Sequence, residues 1–186
     1  MRSRLSGIFA LLVALAASAA SAQPIITEII DATGDGGGAL LDGPFGIAVD
    51  GSGNVYVTGL DSHNAFKITP GGVITEIIDS TGDGVNELEN PVGITVDKSE
   101  NVYTAGLTSS NAFKITPGAV ITEIIDSTGD GGGNVLDGAL SIAVDESGSV
   151  YVTGAESDNA FKVDLSPIFD DGFESGDTSA WSSTVP

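Results

Sequence analysis

The sequence predicts an all-β protein of three four-stranded antiparallel sheets that stack face to face. Three observations lead to this fold class. A unit of 47–48 residues occurs three times, and each unit contains four short runs rich in β-branched and aromatic residues. Turn-forming Gly, Pro, Asp and Asn separate these runs. No 3.6-residue apolar period is seen after residue 22, so helices are not expected.

The repeat is most evident in the segment "ITEIID", which begins at Ile26, Ile74 and Ile121. Two further segments recur with it in the same order: "GIAVDGSGNVYVTG" at 46–59, with near-copies at 93–106 and 141–154, and "NAFKITPGG" at 64–72, with near-copies at 111–119 and 159–167. The units therefore span 26–73, 74–120 and 121–165. Repetition at this period indicates a repeat architecture rather than a conventional globule.

Each unit contains two predicted hairpins. "GIAVD" and "NVYVTG" flank a turn rich in Asp, Gly, Ser and Asn, and "NAFKIT" and "VITEIID" flank "PGG". Pro fixes φ and Gly supplies a positive φ, which is what a tight connection needs. A four-stranded sheet with apolar residues on both faces has to pack against its neighbours, as a propeller blade does.

The segment "TGDGGGALLDGPFGIAVDGSGNVYVTGLDSHNAFKITPGG" resembles the NHL-type β-propeller repeat. In that family a "GDGG" loop leads to a "P-x-G-(I/L)-A-V-D" strand, followed by "G-N-(V/L)-Y-V" and an Asn before the outer strands. The resemblance covers residues 26–165. Three departures weaken individual turns: Asn101 follows Glu100 rather than Gly, Ser149 replaces the Asn, and "ALS" at 139–141 replaces Pro-x-Gly.

The number of blades raises the question of closure, because propellers usually close with four to eight blades. We predict either an open arc of three blades or a homodimer that forms a six-blade ring. The copy of "ITEII" at 26–30 precedes the first inner strand, so its place in the sequence suits a strand that completes the last blade, 139–163.

The two ends of the chain lie outside this repeat. Residues 1–22 combine Arg2 and Arg4 with an apolar run and "ASA" before Gln23, which predicts a signal peptide. The alternative is an N-terminal membrane anchor, for which the run is short. We expect a secreted, periplasmic or cell-surface protein without membrane insertion after signal removal. The tail, 166–186, is interpreted either as a tag for export or attachment or as a flexible terminus.

The charge is strongly negative. The chain has 26 Asp and Glu against 6 Lys and Arg, a formal net charge of −20. This balance disfavours binding to nucleic acid and to anionic lipid surfaces, and it favours divalent cations as counter-ions. The alternative is that the acidity keeps a β-protein soluble. The chain has no Cys, so disulfides and thiol nucleophiles are excluded.

The acidic loop "DSTGDGGGNVLD" at 126–137 has the spacing of a calcium loop. Oxygen-bearing side chains occupy positions 1, 3, 5, 9 and 12, and Gly131 occupies position 6. The candidate calcium ligands in the three copies are Asp31, Asp35 and Asp42; Asp79 and Asp83; and Asp126, Asp130, Asn134 and Asp137. Thr at position 3 and the absence of Glu at position 12 favour a plain acidic turn instead.

Other recurring polar residues have a structural and a functional interpretation. Asp50, Asp97 and Asp145 are interpreted as caps of their turns, with a carboxylate cluster at a channel mouth as the alternative. Lys67 and Lys114 are expected to form cross-strand ion pairs with Glu76 and Glu123. Asn64, Asn111 and Asn159 are expected to adopt the left-handed conformation. The single histidine, His63, falls outside the repeated pattern and is interpreted as incidental.

These features predict a secreted acidic binding or scaffold module without catalytic residues, with a protein or a glycan as ligand. Near-identical blades offer equivalent groups rather than one unique polar cluster. The alternative is a propeller-type hydrolase or lyase that uses a central divalent metal. Both hypotheses follow from the fold resemblance and not from an identified reaction.

Overall fold

Eleven β-strands form three antiparallel sheets in residues 24–165, the part of the chain that this computed structural model describes. The predicted signal peptide, 1–22, and the tail, 166–186, lie outside the described residues. Blade 1 contains β1 (Pro44–Val49), β2 (Val55–Gly59), β3 (Asn64–Ile68) and β4 (Ile74–Ile78). Blade 2 contains β5 (Pro91–Val96), β6 (Val102–Gly106), β7 (Asn111–Ile115) and β8 (Ile121–Ile125). Blade 3 contains β9 (Ala139–Val144), β10 (Val150–Gly154) and β11 (Asn159–Val163). Between residues 24 and 165 there is no helix long and apolar enough to cross a membrane.

The predicted all-β class and the hairpin order are confirmed, with one difference in blade 3. Strands pair in sequence order in every sheet, and β11 is the last strand of a three-stranded sheet rather than of a four-stranded one. The segment 26–30, a copy of the sequence of β4, forms no strand and pairs with no sheet. The expectation that it completes the last blade is therefore wrong within this single chain.

Stacking of the blades creates the core. The cluster between blades 1 and 2 joins Tyr56, Ala65 and Ile78 of blade 1 to Ile94 and Phe113 of blade 2. An equivalent cluster lies between blades 2 and 3. Both faces of blade 2 are covered, and every residue of β6 is buried. At roughly 25 cal/mol per Å² of buried apolar area, this burial between sheets is the main stabilising contribution in a chain without disulfides.

The register places two kinds of connection at opposite ends of each blade. Pro44 pairs with Gly59, and Gly59 pairs with Asn64, so the start of β1 lies beside the turn between β2 and β3. Val49 pairs with Val55 at the other end. We call the first end the connector edge, because the connectors 31–43, 79–90 and 126–138 lie there, and the second end the turn edge.

On the turn edge, one Asp organises each inner hairpin. The Asp97 carboxylate accepts hydrogen bonds from Ser99 N at 2.8 Å, Asn101 N at 2.9 Å, Asn101 Nδ2 at 2.7 Å and Tyr103 Oη at 3.0 Å. Blade 1 repeats the arrangement with Asp50, and blade 3 repeats it with Asp145. The predicted capping role is confirmed, and the sequence reasoning missed the buried tyrosine as a partner.

These hydrogen bonds shift the pKa of each carboxyl group. Burial raises the pKa of Asp97, but the hydrogen bonds from Asn101, Tyr103 and Ser99 together outweigh burial and hold it below the usual value. For Asp145 the Ser147 hydroxyl is the largest influence, and the pKa falls to about 2. On the outer strands, burial raises the pKa of Glu76 and Glu123.

The predicted cross-strand ion pairs of Lys67 and Lys114 are wrong. Lys67 pairs with Thr75 across the outer hairpin, while Glu76 lies opposite Phe66, so no Lys67–Glu76 ion pair forms. The Lys67 Nζ lies instead 5.7 Å from the centre of the Tyr56 ring. Blade 2 behaves in the same way, since Lys114 pairs with Thr122 and lies over Tyr103.

The left-handed residue in the turn between the second and third strands is not the Asn. It is the residue before it, His63, Ser110 or Asp158, with φ of 54°, 52° and 52°. Asn64 begins β3, and its Nδ2 donates to Glu76 Oε1 at 2.8 Å and to Leu40 O at 3.0 Å. The recurring Asn therefore ties the outer strand and the connector to the middle of the blade.

Acidification from pH 4 to pH 2 is expected to lower the melting temperature. A carboxyl group whose pKa in the folded state lies below its unfolded value, roughly 3.9 for Asp, stabilises the fold when ionised, and this stabilisation is lost as the pH falls through the folded pKa. The raised pKa values of the half-buried Glu76 and Glu123 act in the opposite direction. Among the carboxyl groups of residues 24–165, lowered pKa values outnumber raised ones, and they are found at Asp31, Asp50, Asp83, Asp97, Asp126, Asp130 and Asp145. Circular-dichroism melting at successive pH values measures the effect, and a constant or rising midpoint would contradict it.

Replacing Asp97 with Ala is expected to reduce the free energy of unfolding by about 2 kcal/mol, because four donors lose a charged acceptor. Asp61→Ala is the matched control, since Asp61 is exposed and the same charge is removed; about 0.5 kcal/mol or less is expected. Urea unfolding of both variants compares the two values. Equal losses would mean that the net charge, and not the turn, sets the stability.

Candidate functional site at the connector edge

Each connector begins with an Asp that folds back on its own loop. In the second connector, Asp79 Oδ1 accepts hydrogen bonds from Thr81 N at 2.8 Å and from Thr81 Oγ1 at 2.6 Å. Gly82 follows with φ of 60°, and a Cβ there would lie 1.9 Å from Asn86 O. Only glycine fits this position, and the "TGDG" sequence is explained by the turn.

The second Asp of each connector closes the tip of the loop. Asp83 Oδ1 accepts Val85 N at 3.0 Å and Asn86 N at 2.8 Å, and Asp83 Oδ2 accepts Glu123 N at 3.4 Å from strand β8. The backbone donor of Asn86 is the largest cause of a lowered pKa at Asp83. This carboxylate is therefore ionised and is already solvated by the N–H groups of the protein.

Four of the other predicted calcium ligands show the same pattern. Asp31 and Asp126 accept from the Thr two residues later, and Asp35 and Asp130 accept from N–H groups of the following glycines. Asn134 donates its side-chain amide to Asp130. The backbone N of Asp42 and of Asp137 donates to Ser62 Oγ and Ser157 Oγ, respectively.

The described residues contain no group of three or more His, Cys, Asp or Glu side chains that could hold a metal ion. Six carboxylates of the connectors accept hydrogen bonds from their own loops and do not fit a preformed calcium site: Asp31, Asp35, Asp79, Asp83, Asp126 and Asp130. The spacing of the acidic residues is accounted for by the turns. Calcium binding therefore stays a prediction that only a binding measurement decides.

Side chains from one blade hold the connector of the next. His63 Nδ1 accepts a hydrogen bond from Asn90 N at 3.0 Å, which joins the turn of blade 1 to the second connector. In the next interface, Ser110 Oγ accepts Gly138 N at 3.1 Å. The sequence reasoning treated His63 as incidental, whereas it is a structural link between blades. Its position directly before the recurring Asn was the available signal.

The connector edge carries two open, polar grooves. One, of about 340 Å³, lies between His63 and the second connector, and it is lined by Thr81, Glu87 and Glu89. The other, of about 550 Å³, lies on the far side of the same connector, and Asn111, Glu123 and Asp126 contribute to it. Glu87 and Glu89 line both grooves. Val85 projects from the tip of the connector with 86% of its surface exposed.

The turn edge differs because its recurring Asp carboxylates are bound by their own turns. Asp50 and Asp97 line one cavity of about 300 Å³ together with Lys98 and Glu100. The carboxylate oxygens of Asp50 and Asp97 accept hydrogen bonds from their own turns, as described above. Contacts between blades at this edge are peripheral: Ser52 Oγ donates to Glu100 at 3.0 Å, and the exposed Lys98 pairs with Glu146 at 3.0 Å. Glu100 supplies the third carboxyl group of this cavity, and Asp145 of blade 3 does not line it.

Comparison with known proteins agrees with this architecture. The family model for the SBBP β-propeller repeat matches residues 36–60 and 87–114. A virginiamycin B lyase from Staphylococcus aureus in complex with quinupristin superposes with a TM-score of 0.51 and 18% identity over 70% of this chain and 40% of that one. A gluconolactonase from Xanthomonas campestris superposes with a TM-score of 0.51 and 11% identity over 65% of this chain and 43% of that one. No curated protein matches the sequence.

These likenesses establish the fold and no activity, because the identities are low. The chain spans about two fifths of the length of both structures. One architecture accounts for the family match at two separate repeats, for the three stacked antiparallel sheets and for the two structural likenesses. The chain is a β-propeller repeat protein.

Millimolar calcium is expected to leave the melting temperature unchanged relative to the same protein in chelator, because an ion would first have to displace the N–H donors of the connectors. A ligand that binds the folded state raises the melting temperature by mass action. A saturable rise of several degrees that Asp130→Asn abolishes would contradict this expectation and identify the third connector as the site.

Proposed function

We propose that the chain is an exported, acidic binding or scaffold module whose connector edge holds cationic groups of a protein or a glycan. The supporting observation is the difference between the two edges. On the turn edge, the carboxylates of Asp50 and Asp97 are occupied by their own turns. On the connector edge, Glu87 and Glu89 line two open grooves.

The charge of the chain supports the same assignment. With 26 acidic against 6 basic residues, the surface attracts cations over a distance set by the ionic strength. An individual exposed ion pair contributes only about 0.2–1 kcal/mol, so binding of this kind requires several contacts on one ligand. Glu87 and Glu89 of the second connector are two residues apart and both line each groove, so one ligand with several cationic groups can contact the two of them.

The recurring polar residues favour binding over catalysis. The Asp, Asn and Tyr side chains that recur from blade to blade have structural hydrogen bonds with partners in the same positions of each blade. The chain has one histidine, and its Nδ1 accepts a backbone N–H. The rival proposal, a propeller-type hydrolase or lyase with a central divalent metal, is supported by the fold likeness to a lyase and a gluconolactonase and by no residue cluster in the described part of the chain.

The connector edge is tested with two defined cationic probes, chitosan oligosaccharide and poly-L-lysine, and neutral dextran as the reference. We expect both cationic probes to bind the wild type and the double variant Glu87→Gln/Glu89→Gln to bind them about five-fold more weakly. The matched control is Glu100→Gln/Glu146→Gln, which removes the same charge from the turn edge and is expected to retain wild-type affinity. Isothermal titration calorimetry at low and physiological salt measures the dissociation constants.

Equal weakening by both double variants would mean that only the net charge attracts the probes, and it would overturn the assignment of the connector edge. Turnover of a lactone or ester substrate in the presence of Mg²⁺, Ca²⁺ or Zn²⁺ would favour the rival enzymatic function.

A further inference from the structure

Within residues 24–165, blade 3 ends in a strand with an open edge. Strand β11 carries the sequence "NAFKV" and pairs with β10, whereas β3 and β7 carry "NAFKI" and pair on both sides. Phe66 and Phe113 are fully buried in blades 1 and 2, but the corresponding Phe161 is only half-buried. The same side chain in the same position is therefore incompletely covered.

The opposite end of the described chain holds the sequence of an outer strand that belongs to no sheet. Residues 26–30 read "ITEII", identical to β4 and β8. Ile26 is 90% exposed, whereas Ile74 and Ile121, at the same position of the paired copies, are half-buried. Ile30 already packs against the core of blade 1, as Ile78 packs between blades 1 and 2.

We propose that residues 26–30 of one copy of this chain add to β11 of a second copy as the fourth strand of blade 3. Two copies that exchange this segment form a ring of six blades. The proposal does not depend on the ligand of the connector edge.

The register of the new pair follows from the two complete blades. Lys67 pairs with Thr75 in blade 1, and Lys114 pairs with Thr122 in blade 2. The same register places Lys162 opposite Thr27 of the second copy. Because the pentapeptides on both sides are nearly identical to those already paired, no new backbone geometry is needed.

Blades 1 and 2 each contain a hydrogen bond from the recurring Asn to a Glu of the fourth strand, and the described strands of blade 3 do not include that Glu. Asn64 Nδ2 donates to Glu76 at 2.8 Å, and Asn111 Nδ2 donates to Glu123 at 2.9 Å. In blade 3, Asn159 Nδ2 donates to Val135 O at 2.8 Å, as its counterparts donate to the connector carbonyl. Glu28 stands at the position of Glu76 and Glu123 in "ITEII", so strand addition brings it to Asn159.

A groove lies beside β11, at the position where the fourth strand of blade 3 would pair. It has a volume of about 400 Å³ and is lined by Phe161, Lys162 and Val163 of β11 and by Asp130 of the third connector. In blade 2 the matching connector residue, Asp83, accepts the backbone N–H of Glu123 in the fourth strand. Asp130 would accept the N–H of Glu28 in the same way.

The faces next to the two strand ends are also complementary. On blade 1, Ile47 and Val49 are 66% and 60% exposed, whereas Ile94, the counterpart of Ile47 on blade 2, is 8% exposed because blade 1 covers it. On blade 3, Tyr151 is 40% exposed, whereas Tyr56 is 1% exposed against blade 2. Placing blade 3 of one copy on blade 1 of the other repeats the contacts already made between blades 1 and 2.

A second copy fits this arrangement better than the same chain does. Residues 26–30 lie at the outer side of blade 1 and β11 lies in blade 3, with blade 2 between them. Each copy has one donor segment and one acceptor edge, so two copies satisfy each other. The resulting six blades fall within the four to eight that closed propellers usually contain.

Disulfide trapping tests the pairing, and the chain has no cysteine of its own to interfere. Thr27→Cys and Lys162→Cys are made in separate full-length chains, one of which carries a mass tag. Paired positions on antiparallel strands have Cα atoms about 4.5–5.5 Å apart, within the range of a disulfide. After mixing and mild oxidation, we expect most of the protein to form a link between the two chains on a non-reducing gel.

The matched control is Thr75→Cys mixed with Lys162→Cys. Thr75 is also exposed and lies in the same pentapeptide, but its strand already pairs with β3, so no link is expected. Light scattering on the wild type is expected to give the mass of two chains, and Thr27→Pro, which obstructs strand pairing, the mass of one chain.

Equal trapping by the Thr75 control would show random collision and overturn the proposal. A wild-type mass of one chain at all concentrations would also overturn it, and would mean that another segment or another protein covers β11. A Thr27→Cys/Lys162→Cys double variant that cross-links only within one chain would show self-closure instead of exchange.

Discussion

The burial of one blade face against the next is the interaction on which the rest of the structure depends. Each sheet is apolar on both faces, so no single sheet is stable in water by itself. Blade 2 is covered on both sides, and its middle strand is wholly buried. The outward faces of blades 1 and 3 retain exposed apolar side chains at positions that are buried in blade 2. Stability therefore decreases from the centre of the stack to its ends.

The strong negative charge is compatible with this core because many carboxylates are solvated by the protein itself. In the turns and connectors, Asp side chains accept backbone N–H groups and hydroxyls, which favours the ionised form. The residues that make the sequence resemble calcium loops are thereby used to fix the geometry of the connectors. Under the proposed function, Glu87 and Glu89 in the grooves of the connector edge bind the cationic groups, so structure and binding would draw on different acidic residues of the same chain.

The two ends of the stack are different in kind. One end presents the outward face of blade 1 and a segment with the sequence of an outer strand. The other end presents the outward face of blade 3 and an edge that has no such strand among residues 24–165. Because each chain has both a donor segment and an acceptor edge, chains associate head to tail. Such an assembly either closes into a ring or continues as a filament. The acidic surface opposes association by long-range repulsion, while the surfaces that would meet are largely apolar.

The repeat, the hairpins and the all-β class are determined by the sequence alone, because local turn chemistry and strand propensity are the same in three copies. The capping role of Asp97 is also local, since its partners Ser99 and Asn101 lie within four residues. Side-chain contacts between strands and between blades could not be predicted from the local sequence. A slip of one residue at the bulge in the outer hairpin separates Lys67 from Glu76 and gives Glu76 to Asn64. The role of His63 depends on a backbone group 27 residues away in the next connector. Only the tertiary structure decides such contacts, because register and stacking are set by the packing of whole sheets. It alone reveals that, within residues 24–165, the segment 26–30 pairs with no strand and β11 pairs on one side only.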